Sequence, residues 1–236
     1  MAWRCSGSTN AALVNNLAAN GLINSERVKQ AMMGVQLGQI VELTSIQVDR
    51  AHYAPAQPYE DSPQPIGFSA TISAPHMHAN ACESLLPFLY PGAKVLDIGS
   101  GSGYLTHVLA ELVKPGGTVV GVDHIQGLVD MANKNMRKSQ EGRDLLDSGT
   151  VRFVKTDGRK GWAQGGPYDC IHVGAAAAEH HQALVDQLKA PGRLFVPVEE
   201  SYLQHIYVVD KKDDGKVEKK KMYGVRYVPL TDAPTE

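Results

Sequence analysis

The amino-acid sequence predicts an α/β fold, a doubly wound and mostly parallel sheet with an antiparallel edge. Short apolar runs alternate with segments of helical apolar spacing between residues 93 and 198, and this alternation implies parallel strands joined by right-handed crossovers. A glycine-rich segment follows the first of these runs. Near the end of the chain, Asp213-Asp214-Gly215 separates two further stretches and indicates a hairpin, which supplies the antiparallel edge.

The first third of the chain is predicted to be helical and loop-like. Helical spacing covers residues 10–19 and 25–33, and Ser25 is placed to cap the second helix. Five prolines between positions 55 and 75 predict a loop with at most a short edge hairpin. A further helix is expected from His76 to Leu89, leading to the first strand of the core.

The alternating core can be predicted element by element. Strands are expected at 93–98, 118–122, 150–155, 168–173 and 193–198, helices at 103–113, 125–137 and 180–188, and the hairpin at 204–211 and 222–229. A chain of 236 residues with 43% apolar side chains can build one such core. We expect a single domain, 1–236, with N-terminal helices and a covering loop (1–75), a ligand-binding core (76–200) and a C-terminal hairpin (201–236).

Composition argues against several classes of protein. A net charge of −2 gives no electrostatic footprint for nucleic acid, and no apolar stretch has the length of a membrane span. Three widely spaced cysteines argue for a reducing compartment and against a disulfide framework or a zinc cluster. His76 and His78 would point to different sides of a helix, so no metal site is predicted. We expect a cytoplasmic monomer with no nucleic-acid or membrane partner.

Residues 93–103 are the most informative stretch of the sequence. A short apolar strand contains Asp97 near its end, and Gly99, Gly101 and Gly103 follow on alternate positions before a helix whose N-terminal N–H groups would face a ligand. The dinucleotide fingerprint Gly-x-Gly-x-x-Gly fits in neither register, and no Gly-Lys-Ser or Gly-Lys-Thr follows for triphosphate binding. The loop therefore predicts an adenosine-like ligand without a pyrophosphate.

Two further carboxylates follow the next strands. Asp123 ends the second strand, where an acidic residue binds a ribose in doubly wound folds, and His124 would then border the adenine. Asp123 could instead, or in addition, cap the helix that follows. Asp157 precedes Gly158 after the third strand, where its side chain could reach the adenine amino group or form a plain Asx turn.

Together these features resemble class I S-adenosylmethionine-dependent methyltransferases, whose Rossmann-like core carries Asp-x-Gly-x-Gly-x-Gly, matched at 97–103. Four other stretches resemble the protein-L-isoaspartate (D-aspartate) O-methyltransferase family: 49–53, 66–78, 168–176 and 227–232. The resemblance spans nearly the whole chain, and Thr-Ile-Ser-Ala-Pro-His-Met-His at 71–78 is nearly diagnostic. It implies S-adenosylmethionine as cofactor, S-adenosylhomocysteine as product, and methylation of isoaspartyl and D-aspartyl residues in proteins and peptides, which initiates repair through a succinimide.

The chemistry of that reaction indicates which groups should face the substrate. An isoaspartyl residue has a free α-carboxylate with a reference pKa of about 3.3–3.7, so it is already an anionic nucleophile at neutral pH. Its attack on a sulfonium methyl cancels two charges, so a strong cation beside it would stabilise the reactants more than the transition state. Hydroxyls and backbone N–H groups suit the site better. By resemblance, Ser73 orients the carboxylate, although it could instead cap the helix near His76.

The resemblance also implies a set of cofactor contacts. The glycine loop, with Ser102 beside the methionine moiety, and the covering segment before the core supply most of them. Thr231 is carried over as a residue near the adenosine or the rim, and His172 could border the site or simply pack. The cofactor-binding residues predicted in this way are Ala70, Thr71, Ile72, Ser73, His78, Asp97, Gly99, Ser100, Gly101, Ser102, Asp123, His124, Asp157, Gly158 and Thr231.

Three segments depart from the family pattern. Residues 34–48 add about a dozen residues, whose apolar positions fit neither a strand nor a clean helix. They could extend a helix, form an interface, or disorder the region that carries Asp49 and His52. Residues 177–181 and 199–201 add acidic groups at strand ends that face the substrate. Two alternatives therefore accompany the leading hypothesis: a related methyltransferase for a small-molecule acceptor, and a non-catalytic module that binds the cofactor or a protein.

Overall fold

The computed structural model describes residues 5–34 and 48–230. Most of the additional segment 34–48 and the predicted contact Thr231 lie outside the described residues. The N-terminal helices are α1 (Asn10–Ala19) and α2 (Glu26–Met33), close to their predicted bounds. The side chain of Ser25 accepts a hydrogen bond from the Arg27 N–H and caps α2, as expected.

The proline-rich stretch forms the short hairpin that the sequence allowed. Strands β1 (Gln64–Gly67) and β2 (Ala70–Ile72) pair as a separate two-stranded antiparallel sheet. Helix α3 (Pro75–Leu85) follows, with Ala74 at its N-cap and no side-chain capping bond, so Ser73 does not cap this helix. The helix ends before the predicted Leu89 because Pro87 lacks an N–H, and a 3₁₀ turn takes over.

The core is a seven-stranded sheet in the order β5-β4-β3-β6-β7-β8-β9. The five strands from β3 to β7 run parallel, and β8 and β9 add the antiparallel edge, which confirms the predicted fold class. The strands are β3 (Lys94–Ile98), β4 (Thr118–Asp123), β5 (Val151–Lys155), β6 (Tyr168–Val173), β7 (Leu188–Glu200), β8 (Leu203–Lys211) and β9 (Val217–Val225). The core helices are α4 (Tyr104–Leu112), α5 (Gln126–Met136), α6 (Gln140–Asp147) and α7 (Gln182–Asp186).

Four further elements differ from the sequence-based prediction. Helix α7 is shorter than the predicted 180–188, because residue 188 already belongs to β7. Helix α6 was not predicted, because it is short and mostly polar and depends on Ser139 as its cap. Strand β7 is longer than predicted, since one end pairs with β6 and the other with β8. Strand β9 begins and ends earlier than the predicted 222–229, because nearly all its side chains are exposed and no apolar alternation marks its bounds.

Strand register brings the candidate site residues to one edge of the sheet. Ile98 pairs with Val122 on one side and with Val173 on the other, so β3, β4 and β6 end together. The loops that follow these three strands therefore meet at the carboxyl edge, where ligands bind in open α/β sheets. No helix of the described part of the chain is long and apolar enough to cross a membrane.

Candidate functional site

The glycine loop turns sharply between β3 and α4. Gly99, Gly101 and Gly103 have φ values of +75°, +52° and +87°, all in the left-handed region that L side chains rarely adopt. At Gly103, a Cβ atom would also lie 3.1 Å from the side chains of Ala132 and Phe153. Conformation and close packing therefore both require glycine at the start of α4.

A cavity of about 400 Å³ opens beside this loop at the carboxyl edge. Residues 228–230 form part of its lining, and two backbone hydrogen bonds hold them in place: the Ala176 N–H donates to the Val228 carbonyl at 2.8 Å, and the Leu230 N–H donates to the Ala176 carbonyl at 2.7 Å. The cavity is mostly apolar, with a few polar groups at its edges, as expected of a site for a planar base. Its lining residues are Phe68, Ser69, Ala70, Thr71, Ile98, Gly99, Gly101, Val122, Asp123, His124, Ile125, Leu128, Gly158, Gly174, Ala175, Val228, Pro229 and Leu230.

Several of these lining residues were not predicted from sequence. Phe68 lies in the turn between β1 and β2 at φ +53°, and its ring packs on Gly127 of α5, where a Cβ would come within 2.3 Å. Leu128 and Leu230 reach the cavity from α5 and from the C-terminal segment. An isolated apolar residue in a turn or helix carries no sequence signal for a ligand, so only the packing of distant segments reveals these contacts.

Asp123 is the carboxylate of the larger cavity. Its Oδ2 accepts the Gly101 N–H at 3.1 Å, and its Oδ1 accepts the Ile125 N–H at 3.2 Å, so it holds the glycine loop and also the residue before α5. Burial raises the pKa of Asp123, and the two backbone N–H groups oppose that shift. His124 lines the same cavity, with its Nδ1 3.4 Å from Asp123 Oδ1.

Of its two predicted roles, Asp157 has that of an Asx turn. Its carboxylate accepts the backbone N–H of Arg159 at 3.0 Å and the guanidinium of the same residue at 2.9 Å, which is an Asx-type turn closed by an ion pair. The arginine lowers the pKa of Asp157. Asp157 does not line either cavity described here, whereas Gly158 borders the larger one, where a Cβ would lie 2.5 Å from Ile98 Cγ2.

A second, smaller cavity of about 30 Å³ adjoins the first. The two share Thr71, Gly99, Gly101 and Gly174, so they form one continuous site. Every predicted site residue within the described ranges except Asp157 lines one cavity or the other. The smaller cavity is lined by Thr71, Ile72, Ser73, His78, Asp97, Gly99, Ser100, Gly101, Ser102, Tyr104, Leu105, His172 and Gly174.

Polar atoms of the smaller cavity lack partners within the described residues. Ser100 Oγ and Tyr104 Oη are buried there with no hydrogen-bond partner in residues 5–34 and 48–230. A buried polar group left unpaired costs about 1–3 kcal/mol, which a polar ligand or a water would relieve. The larger cavity thus combines volume with an apolar lining, and the smaller one adds unpaired polar atoms directly beside it.

Arg50 is a buried residue that sequence reasoning missed. Its Nη2 donates to the Ser73 carbonyl at 2.8 Å, its Nη1 lies 3.3 Å from His78 Nδ1, and its guanidinium carbon is 5.1 Å from the centre of the Tyr104 ring. Burial lowers the pKa of Arg50 to about 10, which leaves it charged at neutral pH. Arginine is usually a surface residue, so the sequence gave no reason to expect a buried arginine beside the smaller cavity.

Asp97 is fully buried, and both its oxygens have side-chain partners. Oδ2 accepts the Thr106 hydroxyl at 2.6 Å, and Oδ1 lies 2.8 Å from His172 Nδ1. The His172 ring stacks on Phe195, with ring centres 5.8 Å apart, and lines the smaller cavity. His172 therefore borders the site in addition to packing, and Asp97 lines the same cavity beside it.

Comparisons with known proteins agree with this geometry. The family model described as protein-L-isoaspartate (D-aspartate) O-methyltransferase matches residues 8–235. A protein-L-isoaspartate O-methyltransferase of Caenorhabditis elegans is 46% identical over 231 residues, which cover 98% of this chain and 96% of the relative. Protein-L-isoaspartate O-methyltransferase 2 of Arabidopsis thaliana is 47% identical over 219 residues, covering 93% of this chain and 67% of the relative.

Solved structures extend the comparison to three dimensions. A Plasmodium falciparum protein-L-isoaspartate O-methyltransferase in complex with S-adenosyl-L-homocysteine superposes with a TM-score of 0.83 at 32% identity, covering 95% of this chain and 99% of the other. A second protein-L-isoaspartate O-methyltransferase gives a TM-score of 0.73 at 25% identity, covering 92% of this chain and 64% of the other.

Proposed function

Because the chain belongs to the protein-L-isoaspartate (D-aspartate) O-methyltransferase family, we propose how its own residues perform the reaction of that family. The chain is an S-adenosylmethionine-dependent enzyme that methylates the free α-carboxylate of isoaspartyl residues in damaged proteins. The observation that carries the residue assignment is the continuity of the two cavities, with Ser73 in the smaller one. Acceptance of D-aspartyl residues, which the family's description includes, is part of the same proposal.

The larger cavity would hold the adenosine. The cofactor supplies a methyl group activated by a sulfonium sulfur. Asp123 presents a carboxylate that is already held by two backbone N–H groups, and its remaining lone pairs suit the ribose hydroxyls. Ala70, His124 and Gly158 would border the base. The role of Asp157 is then to shape the turn that presents Gly158, since its carboxylate is taken by Arg159.

The smaller cavity would hold the amino-acid end of the cofactor. Ser100 Oγ and Tyr104 Oη are buried polar atoms without a hydrogen-bond partner among the described residues, so both can bind a polar ligand group. Ser102 and His78 line the same cavity. These groups come from the glycine loop and from α3 and α4, so they are fixed by rigid elements. The predicted contacts of Thr71, Ile72, Gly99 and Gly101 lie where the two cavities join or beside that junction.

Ser73 would orient the carboxylate of the substrate. Its hydroxyl has no hydrogen-bond partner among the described residues and its side chain is not used as a helix cap, so it can donate to an anion. The nearby cation Arg50 is directed to the Ser73 carbonyl, to His78 and to the Tyr104 ring. Two of the guanidinium nitrogens of Arg50 are thus engaged by groups other than the Ser73 hydroxyl. A cation placed directly on the substrate carboxylate would stabilise the reactants more than the transition state.

No general base is needed, because the α-carboxylate is ionised at neutral pH. The protein's contribution is therefore to hold the carboxylate in line with the methyl group and to exclude water. Orientation of two reactants can supply roughly 7–11 kcal/mol of the barrier. A monomer in the cytoplasm, with no nucleic-acid or membrane partner, fits this chemistry, since a peptide must enter an open cleft and the net charge is only −2.

The test uses two peptides that differ only in whether one aspartyl linkage is normal or iso. We expect labelled methyl from S-adenosylmethionine to appear only on the iso peptide and to be released by mild base, as a methyl ester is. Labelling of both peptides to the same extent, or base-stable labelling, would contradict the proposal. If S-adenosylhomocysteine binds but neither peptide is labelled, the alternatives are a small-molecule acceptor or a binding module.

A further inference from the structure

Two imidazole rings line the smaller cavity, His78 from α3 and His172 from the end of β6. Both rings are more than nine-tenths buried. In each ring Nδ1 meets a buried, charged side chain, whereas Nε2 has no hydrogen-bond partner in the parts of the chain that the structure describes. The two charged partners have opposite signs, and this difference determines what each ring can offer to a ligand.

The partner of His78 is Arg50, whose Nη1 lies 3.3 Å from Nδ1. A guanidinium has N–H donors and no acceptor, so Nδ1 of His78 must be the acceptor. A neutral ring with a lone pair on Nδ1 has its proton on Nε2. Burial lowers the pKa of His78 well below its usual range, and the positive charge of Arg50 lowers it further. The ring is therefore neutral at pH 7. His78 thus offers a donor to the cavity.

The partner of His172 is Asp97, whose Oδ1 lies 2.8 Å from Nδ1. An ionised carboxylate only accepts, so Nδ1 of His172 must be the donor. The other oxygen of Asp97 already accepts the Thr106 hydroxyl at 2.6 Å, which fixes the orientation of the carboxylate. In a neutral His172 ring the lone pair then lies on Nε2. His172 thus offers an acceptor to the cavity.

We propose that Arg50 and Asp97 are positioning residues that give the two histidines opposite hydrogen-bonding roles, so that His78 donates to a carboxylate and His172 accepts from the ammonium of the cofactor's amino-acid end. This inference rests on the proposed function for the identity of the cofactor. The carboxylate belongs either to that same amino-acid end or to the isoaspartyl substrate. Arg50 also binds the Ser73 carbonyl, so one guanidinium fixes both His78 and the segment that orients the substrate.

The proton positions can be tested on the unaltered protein. Nitrogen NMR of histidine-labelled protein, with and without S-adenosylhomocysteine, distinguishes the two neutral tautomers from the charged ring. We expect His78 to carry a proton on Nε2 and none on Nδ1, and His172 to carry a proton on Nδ1 and none on Nε2. The same tautomer in both rings, or a charged ring in either, would overturn the proposal whether or not the protein is active.

The ligand groups can be tested by calorimetry with S-adenosylhomocysteine and two analogues, one lacking its amino group and one lacking its carboxyl group. The unaltered protein should bind the deamino analogue about 10- to 100-fold more weakly, as expected for loss of a charge-assisted hydrogen bond. In His172→Phe that penalty should largely disappear, while the penalty for the decarboxy analogue persists. If His172→Phe weakens all three ligands by one common factor, the assignment of His172 is wrong.

His78→Phe separates the two sources of the carboxylate. If His78 binds the cofactor's carboxylate, the variant should lose the penalty for the decarboxy analogue. If it binds the substrate, that penalty should persist while the KM for the iso peptide rises about tenfold. A variant that shows neither change would overturn the donor role of His78. A methyl-transfer defect alone would count against the proposed function rather than against this inference.

Arg50→Met and Arg50→Lys test the positioning role of the arginine. In Arg50→Met, His78 should no longer be restricted to the tautomer with its proton on Nε2, and the difference in affinity between the carboxyl-containing and decarboxy ligands should change. Arg50→Lys should partly restore the tautomer and the affinity difference, since a lysine ammonium also only donates. A purely structural arginine would weaken every ligand equally and leave the His78 tautomer unchanged. Arg137→Met is the matched control, because Arg137 is half exposed in a surface ion pair with Asp147 and should change neither readout.

Discussion

The two cavities of the site are built in different ways. The larger one is made mostly of backbone and apolar side chains at the edge of the parallel sheet, and its carboxylate, Asp123, is held by backbone N–H groups. The smaller one contains more polar side chains, and two of them, the rings of His78 and His172, are oriented by the charged side chains of Arg50 and Asp97. Recognition of a nucleoside thus comes with the fold, whereas the reactive end depends on side chains brought together from distant segments.

This difference implies that substitutions should separate cofactor affinity from turnover. Changes in the larger cavity should act on binding of S-adenosylhomocysteine and on stability. Changes in the smaller cavity should act on methyl transfer with less effect on the adenosine. The four variants that follow are ordered from the largest expected effect to the smallest.

Ser73→Ala should lower kcat for the iso peptide by about 100-fold, because a poorly oriented carboxylate loses the benefit of alignment with the methyl group. Affinity for S-adenosylhomocysteine, measured by calorimetry, should stay within about threefold. Ser84→Ala in α3 is the matched control, since its residue lines neither cavity. An unchanged kcat in Ser73→Ala would remove Ser73 from the reaction.

Gly103→Ala should lower the free energy of unfolding by about 2 kcal/mol, because φ is +87° and the new Cβ would crowd Ala132 and Phe153. Gly116→Ala is the control, with φ +80° but open space around the Cβ, so it should cost only about 1 kcal/mol. Denaturant unfolding measures both. Equal losses would mean that the packing of the glycine loop on α5 and β5 contributes nothing beyond its backbone conformation.

Asp123→Asn should weaken S-adenosylhomocysteine binding about tenfold, since an amide accepts fewer hydrogen bonds than a carboxylate. Because burial raises the pKa of Asp123, its protonation begins at a higher pH than for an ordinary aspartate. Affinity in the unaltered protein should therefore fall as the pH is lowered, and Asp123→Asn should lack that fall. Calorimetry across the acid range checks both, and parallel pH profiles would exclude Asp123 as the titrating group.

Tyr202→Gly should raise the free energy of unfolding by about 0.5–1 kcal/mol. Ser201 and Tyr202 join β7 to β8 with φ of +49° and +74°, a two-residue turn in which glycine is preferred, and the Tyr202 side chain is 98% exposed. Binding of S-adenosylhomocysteine should not change, since this turn lines neither cavity. A rise in the KM for the iso peptide would show that the turn belongs to the peptide site.

Much of the fold was predictable because its signals are local. The glycine loop combines a strand end, three glycines and a helix start within eleven residues, so it needs no information from the rest of the chain. The alternation of strands and helices likewise predicted the parallel sheet. Exceptions include α6 and the bounds of β9, where polar or exposed sequences carry no periodic apolar signal.

The sequence by itself determined the family, the cofactor loop and about half of the residues that line the two cavities. Only the tertiary structure decided what those residues can do. Asp97 and His172 are 75 positions apart, and Arg50 and His78 are 28 apart, so no local pattern pairs them. Whether an imidazole donates or accepts a hydrogen bond depends on which charged group contacts its Nδ1. Here the segment that carries Arg50 and the strand β3 that carries Asp97 supply those groups, and only the tertiary packing brings them to the two rings.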